Sequence, residues 1–181
     1  MAKKLTYFSS VAVSGQSCSG KSTLCNLLAN QLCWTHVDIG AEFRKLVINN
    51  RLEIEQFGHI PEDQLHKIDE QIAGRILTEP YRVWDGRLAC YLSQQLKSVL
   101  RVYCTAPIEI RSQRLAKREK MSIQTAWAKI EKRDAEEQEV FERMYALSDP
   151  YNPKWIDLRV ETLGSPEALI LPILNRLMLS Y

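Results

Sequence analysis

The chain has 181 residues, 45% of them hydrophobic and 25% charged, with a formal net charge of +2. That length and balance fit one soluble domain with a full core, and the near-neutral charge makes no general case for nucleic acid or an anionic membrane as partner. No apolar run approaches the roughly twenty residues of a membrane span and the start lacks a signal-peptide pattern, so a cytoplasmic monomer that handles small molecules is expected.

Residues 6–14 are rich in β-branched and aromatic side chains and predict a buried first strand. That strand runs into Gly15-Gln16-Ser17-Cys18-Ser19-Gly20-Lys21-Ser22-Thr23, which fits the phosphate-loop pattern G-x-x-x-x-G-K-[ST]. Glycines let successive backbone N–H groups turn inward on a triphosphate, and a helix beginning near Gly20 aims its positive end at the same anion. In this pattern Lys21 supplies a point charge for the terminal phosphates, and the Ser22 hydroxyl is placed to hold Mg²⁺. A nucleoside triphosphate site is therefore expected.

Residues 21–33 carry Leu24, Leu27, Leu28 and Leu32 at helical spacing, and residues 34–39 predict a second strand. Residues 41–48 resume a helix through Phe43 and Leu46. Residues 51–77 are polar with sparse apolar positions and predict one or two short helices, ended by Glu79-Pro80. Residues 82–86 predict a third strand closing on Asp85-Gly86-Arg87, and residues 99–105 a fourth. A helix over 107–118 follows, then a long charged helix from an N-cap at Ser122 to about Leu147. Asp149-Pro150 and Asn152-Pro153 end it. Residues 155–162 predict a fifth strand. Ser165-Pro166 opens a last helix, which Pro172 is expected to kink. The five cysteines form no C-x-x-C pair and read as buried thiols of a reducing compartment, with Cys18, inside the phosphate loop, the exception.

Strands alternating with helices predict a three-layer α/β/α fold on a central five-stranded parallel sheet, a P-loop NTPase architecture, as a single domain over 1–181. Ligands in such sheets lie beyond the carboxyl ends of the strands. There Asp38 at a strand end is followed one turn later by Arg44, and Asp85-Gly86-Arg87 repeats the arrangement. An arginine fork holds a phosphate through two parallel hydrogen bonds, so Arg44 and Arg87 predict a dianion site distinct from the triphosphate loop. Arg114 and Arg118 share one helix face, and Arg133 lies on the next helix. Arg111, Lys117, Lys120, Lys129, Lys132 and Arg143 belong mostly to a solvated face. His36, His59 and His66 are isolated and read as structural or surface residues.

These strings resemble the nucleoside monophosphate kinases, and among them the short cytidylate kinases typical of archaea. The resemblance runs from the phosphate loop through Asp38-Ile39-Gly40-Ala41-Glu42-Phe43-Arg44, Ile68-Asp69-Glu70, Asp85-Gly86-Arg87-Leu88-Ala89, Arg114-Leu115-Ala116-Lys117-Arg118-Glu119 and Ile130-Glu131-Lys132-Arg133-Asp134 to Ile156-Asp157-Leu158. It implies ATP as donor with Mg²⁺, CMP or dCMP as acceptor, and in-line transfer. It further implies that Asp38, Gly40, Arg44, Asp69 and Arg87 bind the acceptor. The loop from Gly15 to Thr23 and Arg114 would bind ATP. Lys21, Arg118 and Arg133 would be catalytic, with Ser22 and Asp85 at the metal. Residues 41–77 would form a small helical acceptor flap, and 114–145 a helical lid.

Three positions depart from the family's pattern. Cys18 stands where a glycine is usual, Ile39 where a small residue is usual, and Val140 where a further phosphate-binding arginine is common; Arg143, one turn later, is a possible replacement. Two other readings stay open. One keeps the chemistry with a different acceptor (AMP, UMP or an alcohol such as shikimate, whose hydroxyl Asp38 could orient). The other is a regulatory nucleotide-binding protein with weakened catalysis.

Overall fold

A computed structural model describes residues 8–52 and 59–178. Five strands, β1 (Ser10–Ser14), β2 (Thr35–Asp38), β3 (Arg82–Asp85), β4 (Val99–Thr105) and β5 (Leu158–Glu161), build one sheet in the order β2-β3-β1-β4-β5. All four pairings are parallel. Each strand is therefore linked to the next through a crossover, which places helices on both faces.

β1 is buried along its whole length, and its alternation sorts the core. Val11 and Val13 face one layer, where Leu24, Cys25 and Leu28 of α1 (Lys21–Leu32) meet Ile170, Ile173 and Leu177 of α7 (Pro166–Met178). Ala12 and Trp84 face the other. That layer holds Val47 of α2 (Ile39–Asn49), Ile72 and Ile76 of α3 (Glu62–Thr78), Cys90 of α4 (Ala89–Leu92) and Phe141 of α6 (Ile123–Tyr145). A smaller third cluster joins α5 (Ile108–Glu119) to α6 through Leu115, Ala116, Ala126 and Ile130, and Cys18 of the phosphate loop packs against it.

The expected three-layer α/β/α order is present, and Ser122 caps α6 as expected, its Oγ accepting from the Thr125 N–H at 3.1 Å. Several elements differ from expectation. In place of short helices, 62–78 form one helix of 17 residues; 53–58 lie outside the described residues, as do residues 6 and 7 of the expected first strand. β5 begins at Leu158 because Pro153 starts a 3₁₀ turn through Trp155, whose indole N–H donates to the Pro150 carbonyl at 3.0 Å. The short α4 had no expected counterpart. Cys33, which follows the end of α1, is exposed where a buried thiol is expected. α7 runs through Pro172 to Met178.

Register brings the chemistry to one edge. Val13 lies beside Asp85, and Asp85 beside Asp38. The phosphate loop, Asp85 and Asp38 therefore leave three neighbouring strands at the same height. Among the described residues no helix is long and apolar enough to cross a membrane.

Candidate active site

The loop from Gly15 to Gly20 joins β1 to α1. At Gly15 a Cβ would overlap the Cys104 carbonyl oxygen, so the loop can lie against β4 only with glycine there. Gly20 has φ 90°. Cys18 also sits in the left-handed region, at φ 59°, where a side chain costs about 1 kcal/mol that glycine avoids. Lys21 opens α1, and its Nζ donates to the Gln16 carbonyl at 3.1 Å. Burial holds the Lys21 ammonium below the usual lysine pKa, opposed by the charge of Asp85. Burial would raise Asp85, yet His36, Lys21 and Ser22 together hold its carboxyl below the ordinary value, so it is ionised.

At the end of β2, Asp38 Oδ1 accepts from the Ala41 N–H at 3.1 Å, and its Oδ2 accepts from Arg44 at 2.5 Å. Arg87 is half-buried and pairs with Glu137 of α6, which also receives Arg133 Nε at 3.3 Å. Burial, with Arg133 beside it, pushes the Arg87 pKa down to about 9, still charged at neutral pH. Asp69, 5% exposed, accepts a hydrogen bond from the Tyr145 hydroxyl through Oδ2, while its buried Oδ1 has no partner. Burial pushes the Asp69 carboxyl up to about 6 against the opposing pull of that hydrogen bond.

Two cavities open from this edge. The larger, about 490 Å³, is lined by Asp38, Gly40, Arg44, Asp69 and Arg87, with Asp85, Arg133 and Ser17. The smaller, about 440 Å³, is lined by Ser19, Gly20, Thr23 and Arg114, with Thr162 and Gly164. Both are also lined by Cys18, Lys21, Ser22 and Arg118. Gly15 and Gln16 line neither; Gln16 instead donates to Asp134 at 3.3 Å.

Three expectations are corrected. Arg143 does not replace the missing arginine at 140, because it pairs with Glu62 at 2.5 Å and the cavity wall there is Val140. Arg111 is no part of a solvated face. It is buried, pairing with Asp134 at 2.7 Å and donating to the Ser17 carbonyl at 3.3 Å, which ties α5 and α6 to the phosphate loop. His36 is not isolated, as its Nε2 lies 3.4 Å from Asp85 Oδ2.

Glu137 and Thr162 were missed by sequence reasoning. Glu137 follows Arg133 by one helical turn, a spacing that signals an ion pair. Thr162 Oγ1 donates to the Ser19 carbonyl at 2.5 Å and accepts from Arg114 at 3.0 Å, which holds Arg114 against the loop. Nothing local in the sequence marks that contact.

Residues 10–162 match the cytidylate kinase-like family. The chain is 32% identical to a cytidylate kinase of Pyrococcus abyssi, over 88% of each chain. It is 28% identical to a cytidylate kinase of Methanopyrus kandleri, over 92% of this chain and 95% of that one. In fold it is similar to a shikimate kinase of Acinetobacter baumannii, with a TM-score of 0.58 at 16% identity, over 94% of this chain and 96% of the other.

Proposed function

The chain belongs to the cytidylate kinase-like family and is a nucleoside monophosphate kinase, and from that premise we propose that it transfers the terminal phosphoryl group of ATP to CMP or dCMP. The observation that carries this reading is the shared wall. Donor and acceptor cavities meet at Cys18, Lys21, Ser22 and Arg118, so two phosphates entering from opposite sides would face each other there. Lys21 and Arg118 would bear the charge that develops between them, and Arg44 and Arg87 would orient the acceptor dianion. Arg133 would join them as the region 114–145 closes over the phosphates, with 41–77 closing from the acceptor side; closure excludes water and with it ATP hydrolysis. Arg114 would border the donor nucleoside. A phosphate acceptor is already ionised, so no general base is needed. The Ser22 hydroxyl and the ionised Asp85 carboxylate are hard oxygen donors that fit Mg²⁺, which when bound would neutralise phosphate charge.

The pyrimidine would lie over Phe43 and Val140, within reach of Asp69 Oδ1. An ionised Oδ1 accepts from the exocyclic amine of cytosine and repels the carbonyl that uracil carries at that position. The test is ADP release measured with CMP, dCMP, UMP, AMP and shikimate in turn. CMP or dCMP is expected to give the highest kcat/KM. Turnover led by shikimate or AMP, or none above the ATP-only rate, would overturn the reading.

Asp69 adds a pH signature. The preference for CMP over UMP should rise from pH 5 to pH 7 as Asp69 loses its proton near 6. In Asp69→Asn the preference should fall about tenfold and lose its pH dependence. Stability should move the other way. The folded carboxyl keeps its proton up to about 6 and the unfolded one only to about 3.9. The native state therefore binds more protons between those values, and stability falls as pH rises through them, by about 3 kcal/mol at most. Urea unfolding of Asp69→Asn at pH 4 and pH 7 should lack that slope, and an unchanged slope would assign it elsewhere.

A further inference from the structure

Beneath the phosphate loop, on the α1 side of Asp85, three metal-binding side chains converge that the transfer reaction does not use together. Cys25, His36 and Asp85 each offer one ligand atom, all within 4.8 Å of one another. They come from three elements. Cys25 lies on α1 one turn after Lys21 and Ser22, His36 is in β2, and Asp85 ends the neighbouring β3. Cys25 is fully buried, while the His36 and Asp85 side chains are 19% and 4% exposed.

The imidazole is already oriented for ligation. Its Nδ1 lies 2.8 Å from Asn26 Oδ1, an atom that can only accept, so Nδ1 carries the hydrogen. In the neutral ring Nε2 then turns its lone pair toward Asp85 Oδ2, itself an acceptor, across 3.4 Å. A proton on Nε2 or a metal ion can fill the space between these two atoms, and Cys25 Sγ closes the third side. A hydrogen bond to the far ring nitrogen is also what fixes ligating histidines in metalloproteins.

We infer that Cys25, His36 and Asp85 form a Zn²⁺ site which, when filled, withdraws Asp85 from the phosphoryl-transfer centre and arrests the enzyme. The donor set selects the metal. A thiolate, an imidazole and one carboxylate oxygen suit zinc, whereas magnesium takes oxygen ligands and keeps several waters. Tetrahedral zinc with S, N and O ligands places those atoms about 3.5 Å apart, so the cluster must contract by about 1 Å, within reach of side-chain rotation. On binding, the Cys25 thiol releases its proton to solvent and its sulfur bonds to zinc, with no change of oxidation state. The fourth position is left for water. Zinc on the Asp85 oxygen that faces His36 would place a second dication beside the Ser22 side and draw charge from the carboxylate, which sets the two metals in competition.

The test uses the full chain in two arms. Without nucleotide, one equivalent of Co²⁺ should produce a thiolate-to-metal charge-transfer band that Zn²⁺ displaces, and Cys25→Ser should abolish it. In the turnover arm, which rests on the proposed kinase reaction, micromolar Zn²⁺ in the presence of excess Mg²⁺ should inhibit at least about tenfold, reversibly with a chelator. Cys25→Ser and His36→Asn should each raise the half-inhibitory Zn²⁺ concentration by about tenfold or more relative to each variant's own zinc-free rate, and Cys25→Ser should leave that rate unchanged. His36→Asn alters a partly exposed side chain, so it keeps the test open should the buried serine variant fold poorly. Absence of the band, its survival in Cys25→Ser, or inhibition that neither variant moves would overturn the inference. Loss of CMP-dependent turnover in zinc-free wild-type protein would instead count against the assigned reaction.

Discussion

Lys21→Met is expected to lower kcat by about 10³-fold while leaving monophosphate binding nearly unchanged. Lys21 borders both cavities, and its ammonium is held in place before any substrate arrives, donating to the Gln16 carbonyl at 3.1 Å. A donor fixed in advance loses little reorganisation energy when charge develops beside it, and removing one such donor costs about 3–4 kcal/mol of transition-state stabilisation. Methionine keeps the length and apolar stem, so the packing of α1 against the sheet should survive. Asp85 would lose the Lys21 charge that helps hold its carboxyl ionised but would keep its contact with His36, so a small rise in its pKa is the expected side effect. Steady-state kinetics in CMP and in ATP, together with far-UV circular dichroism, separate the outcomes. Activity within tenfold of wild type would remove the phosphate loop from the proposed mechanism.

Much of this arrangement was legible because local rules and the global fold agree. β1 centres on the apolar run Val11-Ala12-Val13 and feeds Gly15, which is what a parallel strand buried on both faces and opening a phosphate loop requires. Asp38 and Asp85 stand at strand ends, and their register against each other follows from the parallel order. α3 was illegible for a reason tied to the site. Its buried positions are Leu65, Asp69, Ile72 and Ile76, a regular helical stripe in which a carboxylate occupies one apolar place. Read as sequence, Asp69 breaks the stripe and suggests short helices; in the fold it is the one polar group that stripe presents to the acceptor cavity. Arg111 and Glu137 were hidden in the same way. Charged residues on charged helices look solvated unless their distant partners are known, and besides the nearer Asp134 and Arg133 these are Ser17 and Arg87, 94 residues and about 50 residues away in the chain. His36 looked isolated because Asp85 is brought to it only by the pairing of β2 with β3.

Arg87→Ala should raise the KM for the monophosphate by about 10- to 100-fold while moving the KM for ATP by less than about threefold, the loss of one charge-assisted fork of about 1.5–3 kcal/mol on one side of the site only. The asymmetry follows from position, since Arg87 lines the acceptor cavity and not the donor cavity. Stability complicates the single variant. Glu137 is 7% exposed and pairs with Arg87 as well as Arg133, so removing Arg87 leaves a buried carboxylate with one cation fewer. Pairing the change with Glu137→Gln separates the two effects. The double variant should recover most of the thermal stability lost in Arg87→Ala and none of the acceptor KM, because neutral glutamine needs no counter-charge while the phosphate still lacks its fork. Arg87→Lys should fall between, keeping the charge and losing the bidentate geometry. If the double variant restored the acceptor KM as well, Arg87 would be a structural partner of Glu137 and the phosphate would have to be held by Arg44 and Arg133. Equal losses in both KM values would place Arg87 at the shared wall with Lys21 and Arg118, and the acceptor site would need a different anchor.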